Sequence, residues 1–197
     1  MSDADDLQAK WDARYAEGRV EDSAPCGVLV EYAHLLPRAG RALDLACGLG
    51  GNALWLARRG LDTTAWDLSP VAIGKLAGCA QLQALPLTAE VRDALKQPPP
   101  ARSFDVIVVS RFLDRELMPA LIAALRDGGL LCYQTFTRET PNANGPACAA
   151  FRLAPNELLR FADGLRILVY REEGLVGDTT QGLRGEAWLV AQRATLT

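Results

Sequence analysis

Arg41-Ala-Leu-Asp-Leu-Ala-Cys-Gly-Leu-Gly-Gly-Asn-Ala-Leu-Trp-Leu-Ala-Arg-Arg-Gly60 is the stretch from which the fold can be read. Its first six residues, Arg41–Ala46, are a short apolar run between Gly40 and the glycines at 48, 50 and 51, the pattern of a buried strand. Asn52 to Arg59 then carries Leu54, Trp55, Leu56 and Ala57 with two arginines at its end. Gly60 follows where a left-handed C-cap belongs, so this segment is a helix. A strand, a glycine turn and a helix in immediate succession open a parallel α/β sheet.

The alternation continues outward. Thr63–Trp66 is β-rich and stops at Asp67, and Ser69-Pro70 supplies an N-cap and first helical residue for a helix to about Gln83. Leu87–Val91 is a third strand, followed by Asp93. Phe104–Val109, with Asp105 near its start, is the clearest strand, because its run Val106-Ile-Val-Val109 is continuous, as in a strand covered on both faces. Glu116–Arg126 reads as a helix broken by Gly128-Gly129, Leu130–Phe136 as the fifth strand, and Asn142–Pro146 as an exposed loop. Pro155 opens a final helix, and Leu165–Tyr170 and Ala187–Ala191 form an antiparallel pair. Pro98-Pro-Pro100 is a surface linker within a domain, and an acidic leader over about 5–17 is helical. The expectation is one domain over 1–197, residues 1–35 being a helical leader. It is an α/β, doubly wound, seven-stranded and mostly parallel sheet with a C-terminal antiparallel hairpin, in three αβα layers. Sheets of this kind bind ligands at the carboxyl ends of their strands, where the strand order reverses.

Composition narrows the function classes. The 197 residues are 49% apolar and 23% charged, with 21 basic against 24 acidic side chains and a net charge of −3, so no broad basic field invites nucleic acid. The longest apolar stretch, Leu117–Leu125, is nine residues and contains Pro119, far short of the roughly 20 that span a bilayer. The first residues, Met-Ser-Asp-Ala-Asp-Asp, are acidic where a secretory leader is basic. Cys26, Cys47, Cys79, Cys132 and Cys148 are odd in number and widely spaced, and His34 is the sole histidine, so reduced thiols in a cytoplasmic protein are expected and a metal site is not.

The glycine turn lets the backbone approach a ligand closely, and the helix behind it presents unsatisfied N–H groups. Asp67 lies 19 residues after Gly48, where a carboxylate accepts hydrogen bonds from both hydroxyls of a ribose. Together they point to an adenosine-type ligand. Gly48-x-Gly50-x-x-Ala53 also fits the dinucleotide fingerprint, but Asp44, four residues before Gly48, would repel a pyrophosphate and suits a ligand carrying an ammonium or sulfonium cation.

At Asp44-Leu-Ala-Cys-Gly-Leu-Gly50 the sequence resembles the class I S-adenosylmethionine-dependent methyltransferases, with Ala46 in place of the first glycine of their motif. The resemblance extends through Asp67, Asp93 and Phe104–Ser110, and Lys10-Trp-Asp-Ala-Arg-Tyr15 is similar to the leader of the small bacterial tellurite- and thiopurine-resistance types. It covers roughly residues 10–193 and implies a Rossmann-like fold, S-adenosyl-L-methionine as cofactor and S-adenosyl-L-homocysteine as product. By that resemblance the turn Ala46, Cys47, Gly48, Gly50 and Asn52 holds the methionine portion, with Asp44 near its amino group or organising the loop. Asp67 binds the ribose, Leu68 packs on adenine, Asp93 and Ala94 meet the adenine edge, and Ser110 and Arg111 face the methyl group. Trp11 and Tyr15 form a lid, with Arg14 toward the carboxylate. Plainer roles stay open: core packing for Trp11 and Tyr15, a solvated charge for Arg14, a turn for Asp93, a surface role for His34, and packing or a redox-sensitive thiol for Cys47.

Methyl transfer needs alignment more than a base. Ser110-Arg-Phe-Leu-Asp114 lacks the Asn/Asp-Pro-Pro-Tyr/Phe pattern of enzymes that methylate planar nitrogens, and Arg111, Tyr133, Thr135 and Arg138 are the acceptor-side candidates. With no basic tail, a small-molecule acceptor is expected, without nucleic acid or membrane as partner. The alternatives are an NAD(P)-dependent reductase, for which no Tyr-x-x-x-Lys is present, and a module that binds the cofactor without turnover.

Overall fold

A computed structural model describes residues 3–195, with side chains from Asp6 onward. In chain order the elements are α1 (Asp3–Ala16), α2 (Gly27–Glu31), β1 (Arg41–Leu45), α3 (Gly51–Arg58), β2 (Asp62–Asp67), α4 (Pro70–Leu82), β3 (Leu87–Val91), β4 (Phe104–Ser110), α5 (Met118–Ala124), β5 (Leu125–Phe136), α6 (Glu157–Phe161), β6 (Arg166–Arg171) and β7 (Glu186–Gln192). The strands make one sheet in the order β3-β2-β1-β4-β5-β7-β6. Strands β3, β2, β1, β4 and β5 are mutually parallel, and β7 is antiparallel to both β5 and β6. The order reverses between β1 and β4, which places the crevice of a doubly wound sheet above their carboxyl ends.

The continuous apolar run of β4 is explained by its neighbours. Val106 and Val108 pack with Ala42, Cys132 and Val190 under Val28 and Leu29 of α2 and Leu56 of α3. Ile107 and Val109 face the other way, with Leu43, Leu131 and Leu189 under Leu121 of α5 and Leu158 of α6. All four β4 residues are fully buried, each worth about 1.5–3 kcal/mol of transfer free energy. Beside β2 the sheet is covered by α3 and α4, whose Ala53, Leu54 and Leu76 meet on Ala65. Ser69 caps α4 by accepting the Ala72 N–H at 3.2 Å, and Gly60 is left-handed (φ +89°) after α3.

Two segments differ from the sequence expectation. The helix expected over 116–126 ends at Ala124, and Leu125 and Arg126 are already strand. Leu125 pairs with Phe104 and Arg126 reaches Asp105 at 3.0 Å, contacts that outweigh local helix propensity; the ladder then shifts register before Val106. The helix after Pro155 is a single short turn, because Asn156 takes a left-handed conformation before it. Among the described residues no helix is long and apolar enough to cross a membrane.

Candidate active site

A cavity of about 330 Å³ opens above the carboxyl ends of β1 to β4. The turn after β1 forms its floor by crossing the left-handed region repeatedly, at Ala46 (φ +55°), Gly48 (φ +53°) and Gly50 (φ +80°). A Cβ on Gly48 would lie 2.8 Å from the Tyr15 hydroxyl, and one on Gly50 2.4 Å from the Leu76 side chain, but it is the positive φ at both positions that favours glycine.

Two buried carboxylates hold this turn. Asp67 accepts the Gly48 N–H at 2.8 Å on one oxygen and the Ser69 N–H at 2.9 Å on the other, tying the end of β2 to the turn. Burial pushes its carboxyl above the ordinary range, and the backbone N–H groups of Ser69 and Gly48 pull back. Asp44, fully buried, accepts from the Ala53 N–H at 3.0 Å and the Asn52 side chain at 3.2 Å. Burial, opposed by those two bonds, pushes Asp44 up to about 7. Asn52 also accepts the Cys26 N–H at 2.8 Å. The strap of residues 23–28 is thereby drawn over the start of α3, where a Cβ on Gly51 would lie 2.6 Å from the Ala24 carbonyl and 2.7 Å from that of Ser23.

The cavity is lined by Trp11, Arg14, Tyr15, Ala46, Cys47, Gly48, Asn52, Asp67, Leu68, Asp93, Ala94, Ser110 and Arg111, which the structure brings together. Trp11 and Tyr15 stack at 5.9 Å as its roof. Asp93 accepts the N–H groups of Leu95 and Lys96 at 3.1 and 3.4 Å, a turn that leaves it facing the cavity. Arg111 also has left-handed backbone (φ +55°) and donates its N–H to the Gln134 carbonyl at 2.8 Å. Cys47 lines the cavity, and burial together with the charges of Asp44 and Asp67 pushes its thiol up. His34 is on the surface beside Tyr32.

Asp44 and Gly50 do not line the cavity; they organise the turn beneath it. Three acceptor-side candidates also lie elsewhere. Tyr133 points into the α5–α6 face, fully buried, with its hydroxyl donating to the Phe112 carbonyl at 2.9 Å. Thr135 is buried as well. Arg138 is exposed and donates to the Ala149 carbonyl of its own loop at 3.4 Å. Arg111 alone of the four reaches the cavity, loosely paired with Glu186 at 3.5 Å. Sequence reasoning missed Trp66 and Arg92, which line the cavity with the guanidinium 3.8 Å above the indole, and also Ser23, Ala24 and Phe112. Arg92 had a signal, its place directly before Asp93; the strap had none, being brought in by tertiary hydrogen bonds. Among the described residues no group of three or more His, Cys, Asp or Glu side chains is arranged to hold a metal ion.

Residues 18–184 match the family model described as tellurite resistance protein TehB. The probable S-adenosyl-L-methionine-dependent methyltransferase TehB of Haemophilus influenzae is 28% identical over 167 residues, covering 80% of this chain and 57% of that protein. The chain spans about half the length of the curated relatives it matches. The solved structure of TehB from Haemophilus influenzae shares the fold with a TM-score of 0.73 at 24% identity, covering 93% of this chain and 67% of that one. A structure from work on the conversion of a disulfide bond into a thioacetal group during echinomycin biosynthesis superposes with a TM-score of 0.72 at 26% identity, covering 97% and 94%.

Proposed function

The chain belongs to the TehB family of class I S-adenosylmethionine-dependent methyltransferases, and we propose on that premise that it transfers a methyl group from S-adenosylmethionine to a small-molecule acceptor. The observation that carries this reading is the cavity above β1–β4, lined by Asp67 and with the start of α3 closed off. Its size is within the usual range for small-molecule sites, roughly 300–1,000 Å³. A dinucleotide needs the N-terminus of α3 for its pyrophosphate. Here the Ala53 N–H is taken by Asp44, and the carbonyls of Ser23 and Ala24 crowd Gly51, so that end of the helix favours a ligand without phosphates.

In this arrangement Asp67 accepts the ribose hydroxyls with its remaining lone pairs, Asp93 and Ala94 meet the adenine edge, and Leu68 covers the ring. The backbone of Ala46–Gly48 faces the methionine portion, with Arg14 toward its carboxylate. Bound S-adenosylmethionine would supply a methyl group already activated by the sulfonium. Trp11 and Tyr15 exclude water above it, and Ser110, Arg111 and Phe112 line the side from which an acceptor is aligned for in-line displacement. The ionisable groups on that side are Arg111 and, paired with it at 3.5 Å, Glu186, so the reading rests on alignment of the acceptor rather than on a dedicated base. We read residues 1–197 as one catalytic unit, its leader acting as a lid. We place it in the cytosol, where its five unpaired cysteines stay reduced.

Calorimetric titration with S-adenosylhomocysteine, beside NADH and with Asp67→Ala as control, tests the site. The expected result is micromolar binding of the first ligand alone, weakened at least about tenfold in the variant while its circular dichroism melt stays cooperative. Binding of NADH instead would overturn the cofactor assignment. Transfer of labelled methyl groups across a panel of thiols, hydroxy acids and oxyanions separates turnover from binding alone.

A further inference from the structure

Lys75 and Asp12 belong to no part of the cavity wall, yet between them they pin its roof. The Lys75 ammonium, on α4, donates to the carbonyls of Tyr15 (2.9 Å), Ala16 (2.5 Å) and Gly18 (2.8 Å), where α1 ends. An ammonium has three N–H donors, and all three are spent on this helix end. Asp12, on α1, accepts from the Ser69 hydroxyl and from the Val71 N–H (3.3 Å), where α4 begins. A cation therefore sits at the negative end of α1 and a carboxylate at the positive end of α4, each the favourable sign for that terminus. Trp11, Arg14 and Tyr15, in the same stretch of α1, face the cavity, and the Tyr15 hydroxyl closes directly on Gly48. α1 therefore covers one side of the cavity, and its position sets how open that side is.

We propose that Lys75 and Asp12 are positioning residues, a two-ended clasp that keeps α1 closed and sets how fast the nucleoside ligand enters and leaves. The proposal rests on the cofactor site described above. Neither residue lines the cavity, so loosening the clasp acts on the mobility of α1 and moves Kd less than it moves either rate. Breaking it accelerates binding and release together.

Stopped-flow tryptophan fluorescence with S-adenosylhomocysteine reads both rates. In Lys75→Met, association and dissociation should each rise about tenfold, the equivalent of one net charge-assisted hydrogen bond, while Kd stays within about threefold. Lys75→Arg, which keeps the charge, should recover most of the wild-type rates, and Asp12→Ala, which removes the acceptor of both bonds, gives the same test at the other end should Lys75→Met lose its fold. A residue that merely stabilised the helix would lower the melting temperature without speeding association. Binding with both rates unchanged overturns the clasp alone. If the unsubstituted chain binds no S-adenosylhomocysteine, the cofactor reading fails and the clasp falls with it.

Discussion

The turn after β1 and the loop after β5 border the same edge of the sheet and are held in opposite ways. In the turn, buried acceptors collect donors: Asp44, Asp67 and Asn52 take N–H groups from Ala53, Gly48, Ser69 and Cys26. In the loop, arginines reach outward to carbonyls. Arg115 donates to Ala150 and Arg152, Arg138 to Ala149, and Arg152, itself buried, to Thr137, Asn144 and Pro146. Short side chains at 7% exposure or less hold the backbone path closely; long stems gather a wider, more exposed loop. The turn is therefore held to one shape, and the loop can vary in outline without disturbing it.

The largest test of that contrast is Asp44→Ala. It leaves the Ala53 N–H and the Asn52 amide buried without partners, and should cost about 3 kcal/mol in urea unfolding. A loss below about 1 kcal/mol would mean that the turn relaxes as readily as the loop.

The two regions should also answer pH with opposite signs. Asp44 titrates higher folded, at about 7, than in a free chain, so its contribution to stability is complete below about pH 4 and is lost as pH rises through about 7. Glu157 anchors the loop through Arg115 at 2.8 Å and the Ala154 N–H at 2.7 Å. Burial alone would raise its carboxyl, but the Arg115 hydrogen bond prevails and lowers it, so its contribution is present above the ordinary glutamate pKa and is lost as pH falls. Comparing unfolding midpoints at about pH 5 and about pH 7, Asp44→Asn should flatten a downward slope of up to about 1.4 kcal/mol per pH unit relative to the parent. Parallel slopes would place Asp44 in a solvated setting.

The smallest effect sharpens the description of the turn itself. Ala46 occupies a left-handed conformation that costs an L-residue roughly 1 kcal/mol, so Ala46→Gly should raise stability by about that amount and the melting temperature by about 2–4 °C. A fall in stability would show that the methyl group packs better than its backbone is strained.

Much of this was legible in the sequence, and the reason is local. Strand β1, the glycine turn, α3 and the Ser69-Pro70 cap are each specified by residues within a few positions of one another, and their bounds agree with the sequence to within a residue or so. Leu125 and Arg126 were not legible as strand, because what holds them there is the pairing of Leu125 with Phe104 and the side-chain bond of Arg126 to Asp105, some twenty residues earlier. The acceptor side failed for a related reason. Alternation along β5 says that Tyr133 and Thr135 share one face and Gln134 the other, but not which face turns toward the site. It is Gln134 that reaches the strap, through the Val28 N–H at 3.0 Å, and Tyr133 supports Phe112 from within the core.

The position of β7 in the sheet has a consequence for how the molecule is made. It is synthesised after β5 and β6 yet lies between them, pairing over seven residues with β5. Until it emerges, β5 presents an unpaired edge and β6 has no neighbour to join. The half of the sheet that carries the glycine turn can assemble while translation continues; the other half waits for Glu186–Gln192, and a ribosome that stalls before them leaves a nascent chain with an open, sticky seam for chaperones or proteases to find.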